Sequence, residues 1–264
     1  MALAQLMVAP NGARLGKSDH PNLPVTTPEI CQTAAECFAA GATALHLHIR
    51  DDQGRHLLDA GKYRETIAEL ARTVPDMAIQ ITSEAAGIYG PEHQRNMVLD
   101  AKAGSVSVSV REMAVESDTS ITRRFYQDCI AGKIEVQHII YAPQELDILA
   151  SAIPKKHFNA NSLQLLFVLG RYGKGGASGP DALLPFLAKL KAAKITPDWA
   201  VCAFGQQETN CLIHAHKLAG KMRVGFENSR LNQNGTTAGS NAERVSEIIS
   251  LVGPVGLEPT TKAL

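Results

Sequence analysis

The sequence predicts an α/β protein built as a single (β/α)8 barrel, and three observations predict it. Eight short runs of β-forming residues alternate with longer segments of helical period. Successive runs begin between 23 residues apart (Asp198 to Lys221) and 38 apart (Gln5 to Thr43), room for one strand, one helix and their connections. The chain has 264 residues, and eight such units fill about 250. A doubly wound sheet is the competing arrangement, but no Gly-x-Gly-x-x-Gly follows the first run.

The elements follow in order. The first strand begins near Gln5 (QLMVAP) and breaks at the Asn11-Gly12 turn, ahead of a helical pattern over Pro28–Ala40 that Gly41 ends. A second strand near Thr43 (TALHLHI) leads to a helix over Asp59–Thr73. A third near Met77 (MAIQIT) leads to Pro91–Lys102, stopped at Gly104. The fourth, from Ser105 (SVSVSV), precedes Thr119–Ala131, with Gly132 after it. The fifth, near Ile134 (IEVQHII), precedes Pro143–Ala152. The sixth, near Ser162 (SLQLLFV), runs through a Gly-rich stretch to Pro180–Ala193. The seventh, Asp198 (DWAVCA), precedes Gln207–Leu218, closed by Gly220. The eighth, Lys221 (KMRVGF), precedes Ala238–Leu251. Residues 1–252 read as one domain. The stretch 253–264, with two prolines and no period, reads as a loose tail without a function.

Composition narrows the function classes. Lys and Arg number 26 against 26 Asp and Glu, so no basic excess serves nucleic acid or an anionic membrane. Five cysteines without a C-x-x-C pair fit reduced thiols better than a disulfide framework or zinc cluster. The N-terminus lacks a basic segment before its apolar run, and no apolar stretch approaches the ~20 residues of a membrane span. The expectation is a soluble, cytoplasmic protein.

Candidate chemistry gathers at the C-terminal ends of the strands, where barrel active sites form. His46 and His48 stand two apart on the second strand, so both imidazoles share a face, half of a metal site or a hydrogen-bonded core pair. His214 and His216 have the same spacing on a helix, where i and i+2 diverge, and read as surface residues. The last strand ends Arg-Val-Gly-Phe-Glu-Asn. Arg223 and Glu227 share a face if the strand continues, and both need partners inside an apolar barrel: each other, or a metal and an anion. Thr82-Ser83-Glu84 closes the third strand. Ser105, Ser107 and Ser109 share a face of the fourth, with Arg111-Glu112 at its mouth. Arg14 follows the first strand. The loop Gly170-Arg171-Tyr172-Gly173-Lys174-Gly175-Gly176 supplies backbone N–H groups and two cations for phosphate, or forms a lid.

Six segments in order, Ala9–Thr26, Ala40–Asp59, Ile79–Gly90, Leu163–Gly173, Trp199–Gly205 and Arg223–Ser229, resemble the β-keto acid cleavage enzymes, a family first defined through 3-keto-5-aminohexanoate cleavage enzyme. The resemblance runs from about Ala9 to Leu251 and leaves the tail outside. It implies a TIM barrel assembled as a homotetramer, and an exchange in which a β-keto acid and acetyl-CoA give acetoacetate and a new acyl-CoA. It implies a Zn²⁺ ion on His46, His48 and Glu227, with Arg223 assisting deprotonation and Ser83 and Ser107 binding substrate. Asn228 stands where the best-known member has an aspartate, and an amide cannot act as that base. Coenzyme A is expected near Gly170, Arg171 and Lys174. Arg14 occupies the position of an acidic residue that holds the substrate amino group in the aminohexanoate-cleaving member. The reversed sign points to a substrate with an anionic far end, such as 3-oxoadipate, unless Arg14 pairs with Asp19 or Glu84. The alternatives are another metal-dependent barrel lyase or hydrolase, of class II aldolase or amidohydrolase type, and a barrel without turnover.

Overall fold

The computed structural model describes residues 2–114, 119–153, 155–158, 160–171 and 179–253. Eight parallel strands close into one barrel in chain order: β1 (Leu6–Val8), β2 (Ala44–Leu47), β3 (Ala78–Thr82), β4 (Ser105–Ser109), β5 (Glu135–Ile140), β6 (Gln164–Leu169), β7 (Asp198–Ala203) and β8 (Lys221–Val224). β1 pairs with β2, Val8 opposite Leu45, and with β8, Val8 opposite Val224, which completes the ring. The longer helices between them are α1 (Thr27–Ala39), α2 (Ala60–Thr73), α3 (Pro91–Ala101), α4 (Thr119–Ala131), α5 (Glu145–Ala152), α6 (Leu184–Ala193), α7 (Glu208–Lys217) and α8 (Asn241–Val252). α1 packs against both α2 and α8, so the outer layer also closes. No helix among the described residues is long and apolar enough to cross a membrane.

The two-residue period of the strands sorts side chains into two cores. Leu45, Leu47, Val106, Val108, Phe167 and Val201 face outward and pack with helix residues such as Ile30, Tyr63 and Val245. Leu166, Val168, Ile139, Ala200 and Cys202 face inward and fill the barrel with Leu3 and Phe204. Helix starts are set locally. Thr26 and Glu29 form a capping box on α1, with a proline in its first turn. Asp59 accepts the Lys62 N–H on α2 (2.6 Å), and Ser240 accepts that of Glu243 on α8 (3.1 Å). Between α7 and α8 the fully buried Arg244 donates to Glu208 at 2.9 Å and to Thr209 at 2.7 Å.

Three details differ from the expected elements. After β2 the chain forms a hairpin, Ile49–Arg50 antiparallel to His56–Leu57, because the Asp51 carboxylate organises the turn by accepting the N–H groups of Gln53 and Arg55. The segment expected as one helix from Pro180 is a 3-10 turn, Pro180–Leu183, followed by α6, since Pro185 lacks the N–H that a continuous helix needs there. Most consequential, β8 ends at Val224 and does not continue to Glu227. Gly225 has φ +142° and lies so close to β1 that a Cβ would meet the Ala9 carbonyl oxygen at 2.3 Å. The chain turns there, with the Asn228 N–H donating to the Gly225 carbonyl at 2.9 Å.

Candidate active site

β2 carries His46 on its inner face, and His48 follows one residue beyond its end. The two Nε2 atoms lie 3.1 Å apart. Glu227, delivered by the turn after β8, places Oε2 at 3.7 Å from His46 Nε2 and 3.5 Å from His48 Nε2. These spacings are long for hydrogen bonds from imidazole to carboxylate. They match three corners of a tetrahedron whose centre binds each ligand at ~2.1 Å, which sets the corners about 3.4 Å apart. All three residues are buried, and together they are a group of ligand type that could hold a metal ion.

The surroundings tune these groups for that task. His46 Nδ1 is 2.9 Å from Gln80 Oε1 and donates to it, which leaves Nε2 as the lone pair aimed at His48 and Glu227. Gln80 in turn donates to Gln137 at 3.1 Å, so the orienting amide is itself held. Burial, aided by the Arg223 cation, keeps His46 well below the usual imidazole range. Burial, with the neighbouring His46 and His56 imidazoles and the Arg50 and Arg223 cations, does the same to His48. Neutral imidazoles are the ligand form. Burial pushes Glu227 up, opposed by Arg223 and Arg50.

Arg223, on the inner face of β8, donates from Nη2 to Glu227 Oε1 at 3.2 Å and to Cys202 Sγ at 3.5 Å. The expected pairing of Arg223 with Glu227 therefore exists, yet Nε and Nη1 of the buried guanidinium have no hydrogen-bond partner among the described residues. Burial would lower its pKa, but Cys202, Glu227 and Tyr141 outweigh it and push it up, so the cation persists. A buried cation with two unused donors is an anion receptor.

A cavity of about 220 Å3 opens above this floor. His46, Arg223 and Glu227 form its base, Ile139, Val168 and Phe204 its apolar wall, and Thr82, Ser109 and Tyr141 add hydroxyls. Arg14, Glu84, Arg111, Glu112 and Arg171 line the rest. Arg14 is half exposed and sits 3.7 Å from Glu84, so it both pairs with that acid and borders the cavity; Asp19 instead faces Arg230. The loop carrying Arg14 is held by Arg50, which donates to the carbonyls of Asn11, Gly12, Ala13 and Leu15.

The other expected site residues are placed differently. Ser83 donates its hydroxyl to the Ser107 carbonyl at 3.0 Å, and neither residue borders the cavity; Thr82 and Ser109 do. Asn228 is buried, its side-chain amide has no partner among the described residues, and it too lies off the cavity wall. Gly170 directly follows β6 and Arg171 reaches the cavity, while Lys174 lies outside the described residues. His214 and His216 are half-buried on α7, not on the open surface. Sequence reasoning missed Gln80, Arg50 and Tyr141. Gln80 was detectable, since it shares the inner phase of β3 with Thr82.

Fold and site together define a class, a TIM-barrel enzyme with a metal-competent centre at the C-terminal mouth. A solved structure, a ternary complex of ObcA with a C4-CoA adduct and oxalate, superposes with a TM-score of 0.65 at 15% identity, over 87% of this chain and 63% of that one. The chain spans less than two thirds of that protein, and the likeness is one of fold. The chain belongs to the β-keto acid cleavage enzyme family, whose model matches residues 4–264 and so takes in the tail that the motifs leave out. It is an enzyme of carbon–carbon bond cleavage. The 3-keto-5-aminohexanoate cleavage enzyme of Fusobacterium nucleatum is 28% identical over 258 residues, 95% of this chain and 91% of that one. The 3-oxoadipate:acetyl-CoA acetyltransferase of Cupriavidus necator is 23% identical over 265 residues, 98% and 91% respectively.

Proposed function

We propose that this enzyme is zinc-dependent and exchanges acyl groups between a β-keto acid and acetyl-CoA, releasing acetoacetate and a new acyl-CoA. The convergence of His46, His48 and Glu227 beside the unsatisfied Arg223 carries the reading. A bound Zn²⁺ supplies Lewis acidity toward the keto oxygen. The chain's own residues do the rest. Gln80 orients His46. Arg223 offers Nε and Nη1 to the substrate carboxylate and stays charged throughout. The apolar wall excludes water from the carbanionic centre. Ser83 ties β3 to β4 through the Ser107 carbonyl, Ser107 faces the barrel interior below Ser109, and Asn228 directly follows the ligand Glu227.

At the rim, Arg14 receives the far end of the keto acid, which favours an anionic substrate of the 3-oxoadipate kind. The coenzyme A phosphates lie toward Gly170, Arg171 and Lys174. One domain over residues 1–252, a homotetrameric assembly and a cytoplasmic setting complete the proposal; all five cysteines are free thiols, as a reducing compartment requires.

The test is a panel of β-keto acids incubated with acetyl-CoA, with acyl-CoA products read by mass spectrometry. The expected result is product that needs acetyl-CoA, disappears after chelation and returns with zinc. Turnover that survives complete metal removal overturns the zinc assignment, and absence of acyl-CoA from every keto acid overturns the exchange.

A further inference from the structure

Three carboxylates border the cavity: Glu84, Glu112 and Glu227. Glu227 is occupied with the imidazoles and Arg223. Glu112 accepts the Ala85 N–H at 3.0 Å and is held as a strut of the loop after β3. Glu84 is different. Its backbone is fixed on both sides, the N–H donating to Thr82 Oγ1 at 3.0 Å and the carbonyl accepting from His56 Nε2 at 2.8 Å. Its carboxylate reaches into the cavity with Arg14 at 3.7 Å, longer than a tight ion pair. A rigid backbone and a loosely held acid group are what a proton carrier needs.

The remaining candidates do not suit the task. Arg223 is a fixed cation, and burial pushes the Tyr141 hydroxyl up beyond a phenol's ordinary range. Thr82 and Ser109 are plain hydroxyls without an adjacent imidazole of their own.

We infer that Glu84 is the proton carrier of this cavity, taking the C2 proton from the β-keto acid and returning it to the departing product. The inference rests on the exchange reaction proposed above. The C2–H bond breaks, its electron pair stays on the substrate as an enolate, and the proton passes to a Glu84 carboxylate oxygen. The enolate carbon bonds to the thioester carbon of acetyl-CoA and expels the thiolate. The thiolate then adds to the original keto carbon, and the bond from that carbon to C2 breaks. The electron pair leaves with acetoacetate, which recovers the proton from Glu84. One proton makes a round trip and nothing is oxidised or reduced.

The environment supports this role. Burial, with Glu227 and Glu112 adding repulsion, pushes the Glu84 carboxyl up to about 7, against the pull of Arg14 and Arg223. An acid poised there gives and takes a proton with equal ease at neutral pH.

The experiment follows deuterium entry at C2 of acetoacetate by NMR, with zinc-loaded enzyme in D2O and no acetyl-CoA. Acetoacetate has no far-end charge for Arg14 to read, so substrate binding and proton transfer separate. Wild type exchanges faster than buffer, with a rate that rises with pH as the Glu84 carboxyl loses its proton. Glu84→Gln exchanges about 100-fold slower with its zinc content intact, and Glu84→Asp recovers part of the rate. Arg14→Gln moves the acidic limb upward by about one pH unit, because the cation that lowers the Glu84 pKa is gone. Exchange in a folded Glu84→Gln within about three-fold of wild type overturns the inference, as does an unmoved limb in Arg14→Gln. If Glu84→Gln does not fold, the Arg14→Gln profile decides alone. A wild type that produces acyl-CoA while Glu84→Gln is unimpaired refutes only the carrier; a wild type inert with every β-keto acid removes the reaction and the carrier together.

Discussion

Two imidazole nitrogens 3.1 Å apart, beside a buried carboxylate, converge on one point where a cation can take all three as ligands. The residue-scale predictions follow from that. His46→Ala should leave the purified protein without zinc by elemental analysis; full zinc content in that variant would sink the ligand assignment. Glu227→Gln should weaken binding less completely, because an amide oxygen still coordinates. Gln80→Ala touches no ligand position, yet it frees the His46 ring and should lower zinc affinity by about 10–100-fold in a chelator competition. Arg14 gives a separate residue-level test. The ratio of kcat/KM for 3-oxoadipate to that for 3-keto-5-aminohexanoate should exceed one in wild type and fall in Arg14→Glu. A ratio indifferent to the change would confine Arg14 to its ion pair with Glu84.

At the scale of elements, the site depends on how β8 ends. A strand continued to Glu227 would be one more inward-pointing position, but the chain turns at Gly225, and Glu227 is held by its N–H donating to the Ala9 carbonyl at 3.1 Å. Only a residue without a Cβ lets β8 approach β1 so closely. Gly225→Ala should therefore lower stability by about 3 kcal/mol, read as a drop in Tm, and should reduce zinc content because Glu227 shifts with the turn. A variant with wild-type Tm and full zinc would show that the turn tolerates the methyl group and that the metal centre does not depend on it. The hairpin after β2 has a comparable role. It places His56 against the Glu84 carbonyl and Arg50 under the Arg14 loop, so two short strands outside the barrel organise the cavity rim.

For the molecule as a whole, the buried histidines between barrel and helices tie stability to pH. His138 lies on the outer face of β5 against the Tyr126 ring of α4, centroids 5.2 Å apart, and its Nδ1 has no partner among the described residues. Burial pushes its pKa down to about 3, below the 6.5 of an exposed imidazole. The unfolded chain therefore takes up the proton first. The stability contributed by neutral His138 is complete above pH 6.5 and declines as pH falls from there toward about 3. The loss approaches about 1.4 kcal/mol per pH unit for one such group. In His138→Phe, Tm should fall less between neutral and acid pH than in wild type. Equal slopes in thermal melts would show that His138 is solvated or paired when folded.

Periodicity alone determined the barrel, because eight alternations of a two-residue and a 3.6-residue pattern admit few closed solutions. The H-x-H pair was legible for the same reason, since i and i+2 share a face in any strand. The run Arg-Val-Gly-Phe-Glu-Asn also put Arg223 and Glu227 forward, with each other or a metal and an anion as partners, and the likeness of motifs implied their separate roles. At the hydroxyls the cavity is bordered by Thr82 and Ser109, with Ser107 on the same inner face as Ser109. Ser83 has the outer phase of β3, and its neighbours Thr82 and Glu84 face the cavity, because the phase beyond a strand end depends on where the next strand lets the chain turn. Tertiary structure alone decided that Gln80 orients His46, that Arg50 holds the Arg14 loop, and that half-buried Glu84 stands among other acids. Each of these depends on residues 28 to 143 positions apart meeting at the barrel mouth. Local sequence specifies the direction of a side chain along its own strand. The partner it meets is set by barrel closure, which brings the ends of non-adjacent segments to one mouth.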